Sequence, residues 1–171
     1  EVYVAPRTRF DRESKLDIRP YHLVLLCKNN KGYQNLIKLV SLGYTEGFYS
    51  KPRVDVELLE KYSEGLICLS ACLAGEIPRQ LVNNNYEGAK KTALKYLEIF
   101  GDGNYYLEIQ DHGISEQKNI IPLICRLSKE TGIPLVATND VHYIEKEDAE
   151  MQNVLMCIQI KKTIYEPNSL K

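Results

Sequence analysis

Asp140 and His142 stand two residues apart, just after the short apolar run Ile133-Pro134-Leu135-Val136. In an extended chain, residues i and i+2 point to the same side. The pair is therefore expected to aim at one point beyond the end of a strand, where βα folds place their sites. A carboxylate and a neutral imidazole suit a divalent metal, or acid/base work, so both residues are read as candidate catalytic groups as well as ligands. The plain alternative is that Asp140 caps a turn and His142 bonds the backbone. Three more ligand-type residues lie at strand ends: Glu1 opens one strand, His22 enters another, and Cys72 follows a third. Each alone has an ordinary reading, a half-buried His or a small buried Cys. Together, Glu1, His22, Cys72, Asp140 and His142 make a competent donor set for zinc or manganese. Their wide spacing excludes a zinc finger and suits a catalytic site at a barrel mouth.

Other constellations are less specific. Glu108-x-x-Asp111-His112 could supply an acid/base group, but fits a surface loop after a strand. Lys51-Pro52-Arg53, with Phe48 and Tyr49, could touch a phosphate backbone. No Walker loop, Gly-x-Gly-x-x-Gly or Gly-x-Ser-x-Gly occurs, so nucleotide-binding and serine-hydrolase readings gain no support.

The elements that must position these residues follow from periodicity. Strands are expected at Glu1–Ala5, Tyr21–Leu26, Leu66–Leu69, Tyr105–Ile109 and the run before Asp140. Tyr21–Leu26 and the last run read as buried on both faces. Helices are expected from about Tyr33 to Gly43, from Asp55 to Gly65, over Gly75–Val82, Tyr86–Phe100 and Ser115–Thr131, and over Glu147–Ile158. In the first of these, Tyr33, Leu36, Ile37 and Val40 recur at helical spacing. In the last, Met151, Val154, Leu155 and Ile158 are expected to face inward. Pro6–Pro20, polar and without period, reads as a mobile loop, and Gly47–Arg53 as a connection. Strands alternating with helices predict an α/β fold with a parallel sheet.

The bulk numbers bound the function class. The chain has 171 residues, 44% of them apolar and 26% charged, the profile of one soluble globular domain. A net charge of −1 argues against nucleic-acid binding by bulk electrostatics. Five cysteines, an odd number without a Cys-x-x-Cys pair, indicate reduced, cytoplasmic usage. No apolar run is long enough to span a bilayer, so no membrane partner is expected. The chain opens in strand-like alternation without Met, and reads as a fragment of a longer protein.

Several long runs carry a resemblance. Tyr21–Leu26, Gly32–Leu36, Gly47–Asp55, Glu64–Pro78, Glu108–Gly113, Val136–Tyr143 and Glu147–Ala149 resemble the PHP (polymerase and histidinol phosphatase) domain of the alpha subunit of bacterial DNA polymerase III, a C-family replicative polymerase. The resemblance covers most of the chain. It implies a partial, distorted (βα)7 barrel whose first strands precede Glu1, with residues 1–160 forming the later part of the PHP domain and 161–171 starting the connection to the polymerase region. It implies a metal centre in which the family's Glu matches Glu1, one His matches His22, the Cys matches Cys72, and the final Asp-x-His matches Asp140 and His142. The family's leading His-x-His, Asp and next His have no counterpart here. The implied cofactors are divalent ions, zinc or manganese at the PHP site and magnesium at the parent polymerase's own centre. The implied activity is a phosphoesterase-like one, associated with 3′→5′ proofreading in some members. The implied partners are DNA and other subunits of the holoenzyme, in the cytoplasm. The segment alone is not expected to polymerise DNA. A purely structural PHP module and a free-standing PHP phosphatase remain alternatives.

Overall fold

The structure, a computed structural model, describes residues 1–165. The chain divides into two units, Glu1–Thr138 and a second beginning at Asn139. The first holds a six-stranded sheet in the order β3-β1-β2-β4-β5-β6. Its strands are β1 (Val2–Val4), β2 (Tyr21–Cys27), β3 (Arg53–Val54), β4 (Leu66–Leu69), β5 (Tyr105–Ile109) and β6 (Leu135–Ala137). Its helices are α1 (Asn30–Thr45), α2 (Val56–Tyr62), α3 (Glu76–Val82), α4 (Tyr86–Phe100) and α5 (Ser115–Thr131).

The expected α/β architecture is present, with one change of direction. β1 pairs parallel to β3, β4 to β5, and β5 to β6. β2 runs antiparallel to both neighbours, β1 and β4. β3 was not expected at all: two residues inside a Pro-containing connection carry no readable period.

Local chemistry explains the boundaries. Asn29 caps α1 by accepting from Gly32 N, and Asp55 caps α2 by accepting from Leu58 N. α5 ends at Gly132, in the left-handed conformation that glycine adopts without strain. Pro122 lies inside α5. The core gathers Leu23, Leu25, Leu39, Leu59, Leu107 and Leu127 between sheet and helices. Each such side chain contributes about 1.5–3 kcal/mol through its burial.

Several faces differ from expectation. β2 buries only Leu23 and Leu25, while Leu26 is 49% exposed. The apolar run was read as buried on both faces, but one face of the sheet is open there. β6 likewise leaves Leu135 39% exposed, and Ile133, before the strand, is the buried residue. α1 packs through Gly32, Asn35, Leu39 and Gly43, not through Tyr33, Ile37 and Val40, which are exposed. The reason is steric. A Cβ at Gly32 would lie 1.8 Å from the Gly65 carbonyl oxygen, so the helix approaches the preceding turn of β4 on its glycine edge.

The segment Pro6–Pro20 is anchored rather than mobile. Arg53, completely buried, donates to the carbonyls of Gly47, Asp17, Arg9 and Asp11. Arg9 pairs with Asp55, Glu46 and Glu57. Burial works against the Arg9 charge, but these carboxylates hold its pKa above the usual arginine value. Arg7 bonds the buried Asp17 at 2.5 Å and holds that carboxyl below the usual carboxylate range. Arg53 therefore cannot serve the phosphate contact that the Lys51-Pro52-Arg53 run suggested.

The second unit contains a 3-10 turn, Lys146–Asp148, and α6, Ala149–Ile160. A reciprocal cap joins Glu145 and Asp148. Among the described residues of α6 only Cys157 is buried; Met151, Leu155 and Ile158, expected to face inward, are 67%, 56% and 69% exposed. No described helix is long and apolar enough to cross a membrane. No disulfide joins any of the five cysteines. The connection expected at 161–171 lies outside the described residues from 166 onward.

Candidate metal centre

The reversal of β2 brings the first three candidate ligands together. Because β2 runs against its neighbours, its amino end lies at the rim where β4 ends. Tyr3 pairs with His22 across β1 and β2. Directly paired residues share a face, and Glu1, two before Tyr3, is diagonal to His22 on that face. Past the end of β4 the chain turns back: Gly75 N donates to the Cys72 carbonyl, and His22 N donates to the Ala74 carbonyl. A Cβ on Gly75 would lie 2.3 Å from the Ser70 carbonyl oxygen, so this turn requires glycine. It sets Cys72 against His22.

The resulting geometry is compact. His22 Nδ1 lies 2.5 Å from Glu1 Oε1 and 3.8 Å from Cys72 Sγ. One donor atom from each of Glu1, His22 and Cys72 lies within 4.8 Å of the others. The three are half-buried or partly exposed, open enough for an ion to enter. The His22 ring stands edge-on to Tyr3, with centroids 5.1 Å apart, which restricts its rotation.

The donor set fits a divalent ion. Metal–ligand bonds of four-coordinate zinc place N and S donors roughly 3.5 Å apart. The observed 3.8 Å between Nδ1 and Sγ is close to that value. The 2.5 Å Glu1–His22 contact is an ion-pair distance, shorter than two donors of one ion adopt. Glu1 must draw back by about 1 Å to share an ion, and its side chain, 41% exposed, is free to do so.

Asp140 and His142 belong to the second unit. The chain is not extended there: Asp140 has φ of +46°, a left-handed conformation that makes a turn. His142 Nδ1 sits 2.6 Å from the Asp140 carbonyl oxygen. Both residues are exposed.

Behind Cys72 lies a buried polar network that sequence reasoning missed. Glu108, read as part of a surface loop, sits inside β5 and is 3% exposed. Its Oε2 accepts from Ala71 N at 2.5 Å and its Oε1 from Thr138 Oγ1 at 2.7 Å. Its own N–H donates to Ser70 Oγ at 2.8 Å. Gln110 Nε2 donates to Thr138 Oγ1 at 3.0 Å. Glu108 and Gln110 line a small pocket with Cys72. The signal was available in principle: a charged residue flanked by Leu107 and Ile109 inside a strand needs a buried partner. His112, from the same run, is held by Gln117 at both its backbone N and its ring.

Comparison with known proteins matches this frame. The model of the PHP domain family matches residues 1–112, a span that contains Glu1, His22, Cys72 and Glu108. The DNA polymerase III subunit alpha of Treponema pallidum (strain Nichols) is 52% identical over 172 residues, covering 100% of this chain and 15% of its own length. That of Borreliella burgdorferi is 45% identical, covering 100% and 15%, and that of Thermus aquaticus 45% identical, covering 98% and 14%. The chain thus spans about one-seventh of the length of these relatives. A family model that matches most of the chain, over a mixed sheet whose rim gathers carboxylate, imidazole and thiol, shows that the chain belongs to the PHP domain family.

Proposed function

We propose that this chain is the PHP portion of a bacterial replicative DNA polymerase alpha subunit, and that it builds a divalent-metal phosphoesterase centre. The Glu1–His22–Cys72 cluster carries the reading. The Asp-x-His motif at Asp140 and His142 is assigned further donor and catalytic roles in the full-length protein, on the strength of the family resemblance alone. Glu1 and Asp140 offer hard oxygen donors, His22 and His142 nitrogen donors. The Cys72 thiolate biases the site toward zinc over manganese. A divalent ion there supplies charge neutralisation of a phosphodiester and activation of water. The chain's own residues hold the donors in place and leave one side open to solvent. The PHP module runs to about residue 160. DNA, the other holoenzyme subunits and a magnesium-dependent polymerase region are its partners in the cytoplasm. The polymerase names and near-complete coverage of this chain by those relatives favour this over a free-standing phosphatase.

A structural role without catalysis is the second reading, and the direct Glu1–His22 contact favours it, since it satisfies the imidazole without an ion. One experiment separates the two. Metal content and 3′→5′ exonuclease rate are measured on the full-length protein and on Cys72→Ser, Asp140→Asn and His142→Ala. The catalytic reading expects Asp140→Asn and His142→Ala to lower both, and Cys72→Ser to lower bound zinc and the zinc-supported rate. Retention of metal and nuclease activity in all three would sink it.

A further inference from the structure

We infer that Glu108 is the positioning residue of the centre: one buried carboxylate fixes the backbone before Cys72 and, at the same time, the residue two before Asp140. The inference rests on the reading of Cys72 and Asp140 as ligands and adds a residue outside the donor set. Glu108 occupies the end region of β5, between the ends of β4 and β6. Each of its oxygens serves one neighbouring segment, Oε2 the Ala71 N–H and Oε1 the Thr138 hydroxyl. Ala71 has φ of +65°, a left-handed conformation that costs a non-glycine residue free energy and needs an external hold. That hold is the Glu108 bond. It aims the next residue, Cys72, toward His22. Ser70 Oγ accepts from Glu108 N and closes the clamp from the other side.

The residue type is informative. Two donors must be met by two acceptors, and an ionised carboxylate is acceptor-only. A glutamine could accept from Ala71 but would present an amide N–H₂ to Thr138. Thr138 already receives the Gln110 N–H, so its own proton would be left without a partner. No described Lys or Arg side chain forms a salt bridge with Glu108, so hydrogen bonds meet its buried oxygens. Groups behind metal ligands that fix their orientation commonly change affinity by about 10–100-fold.

The test uses the full-length chain carrying this segment, stripped of metal and titrated with Co²⁺. The thiolate-to-cobalt absorption in the near ultraviolet reports Cys72 directly. Glu108→Gln and Thr138→Val are each expected to weaken Co²⁺ binding about tenfold or more and to lower the thiolate band at saturation. Leu127→Ala, which opens a hole in the core away from these loops, should lower thermal stability and leave both readouts unchanged. Wild-type Co²⁺ affinity and band in both Glu108→Gln and Thr138→Val would overturn the positioning role and leave the metal reading standing. A wild-type protein with no thiolate band would overturn both. Should Glu108→Gln fail to fold, Thr138→Val decides alone, since it removes one hydroxyl from a half-buried residue.

Discussion

At the scale of single residues, the proposed centre sets two donors of different hardness, a carboxylate and a thiol, on one imidazole. His22 Nδ1 faces both Glu1 and Cys72, so the three donors are not interchangeable. Replacing sulfur by oxygen alters which ion is preferred more than whether one binds. Cys72→Ser in the full-length protein is expected to lose zinc in competition while retaining manganese binding within a few-fold. Elemental analysis after exposure to an equimolar mixture checks this, and unchanged zinc enrichment would refute it. His22→Ala removes the donor common to both contacts, and should abolish stoichiometric metal at this cluster.

At the scale of elements, two interfaces are sharply defined. α1 meets the turn before β4 at Gly32, where no Cβ fits. Gly32→Ala must move backbone rather than a flexible side chain, and is expected to cost about 2–3 kcal/mol in urea unfolding. α4 and α5 are joined by Glu130, which accepts from Lys90 and Arg126 at 2.7 Å each. The Lys90 and Arg126 hydrogen bonds lower the Glu130 pKa from 4.5 to about 2. A depressed carboxylate contributes stability above its unfolded pKa and loses it as pH falls through the folded one. The contribution is therefore full above pH 4.5 and fades toward pH 2. Unfolding of Glu130→Gln should differ from wild type at pH 6 and converge with it as pH falls below 3. A gap independent of pH would exclude this pair as the source.

At the scale of the whole molecule, buried charge ties the N-terminal segment to the sheet. Arg53 lies at the sheet edge and its guanidinium holds four carbonyl oxygens, three of them in the Pro6–Pro20 segment. Burial lowers its pKa, yet arginine stays charged in this range. Arg53→Met would leave those carbonyls unpaired and is expected to cost about 3 kcal/mol or more. Limited proteolysis should then cut between Pro6 and Pro20, where the wild type resists. Equal resistance in the variant would show that Arg9 and Asp55 suffice to hold the segment.

The α/β class, the helices Tyr86–Phe100 and Ser115–Thr131, the strand Tyr105–Ile109 and the candidacy of Glu1, His22 and Cys72 were legible in residue order. They rest on local signals: period, caps, glycine stops and ligand chemistry. Which apolar face is buried was not legible for α1, because Gly32 and Gly43, invisible to hydropathy, make the contact. The reversal of β2 was not legible either, since a strand's direction depends on its partners and not on its own period. Nor were the long-range bonds of Arg53 and Glu108, which join residues 36 to 44 and 30 to 38 positions apart. By itself, the sequence determined which donors exist and which elements carry them. Tertiary structure decided that β2 turns His22 toward Glu1 and Cys72, because the rim on which a donor lies is set by strand direction, a property of the assembled sheet.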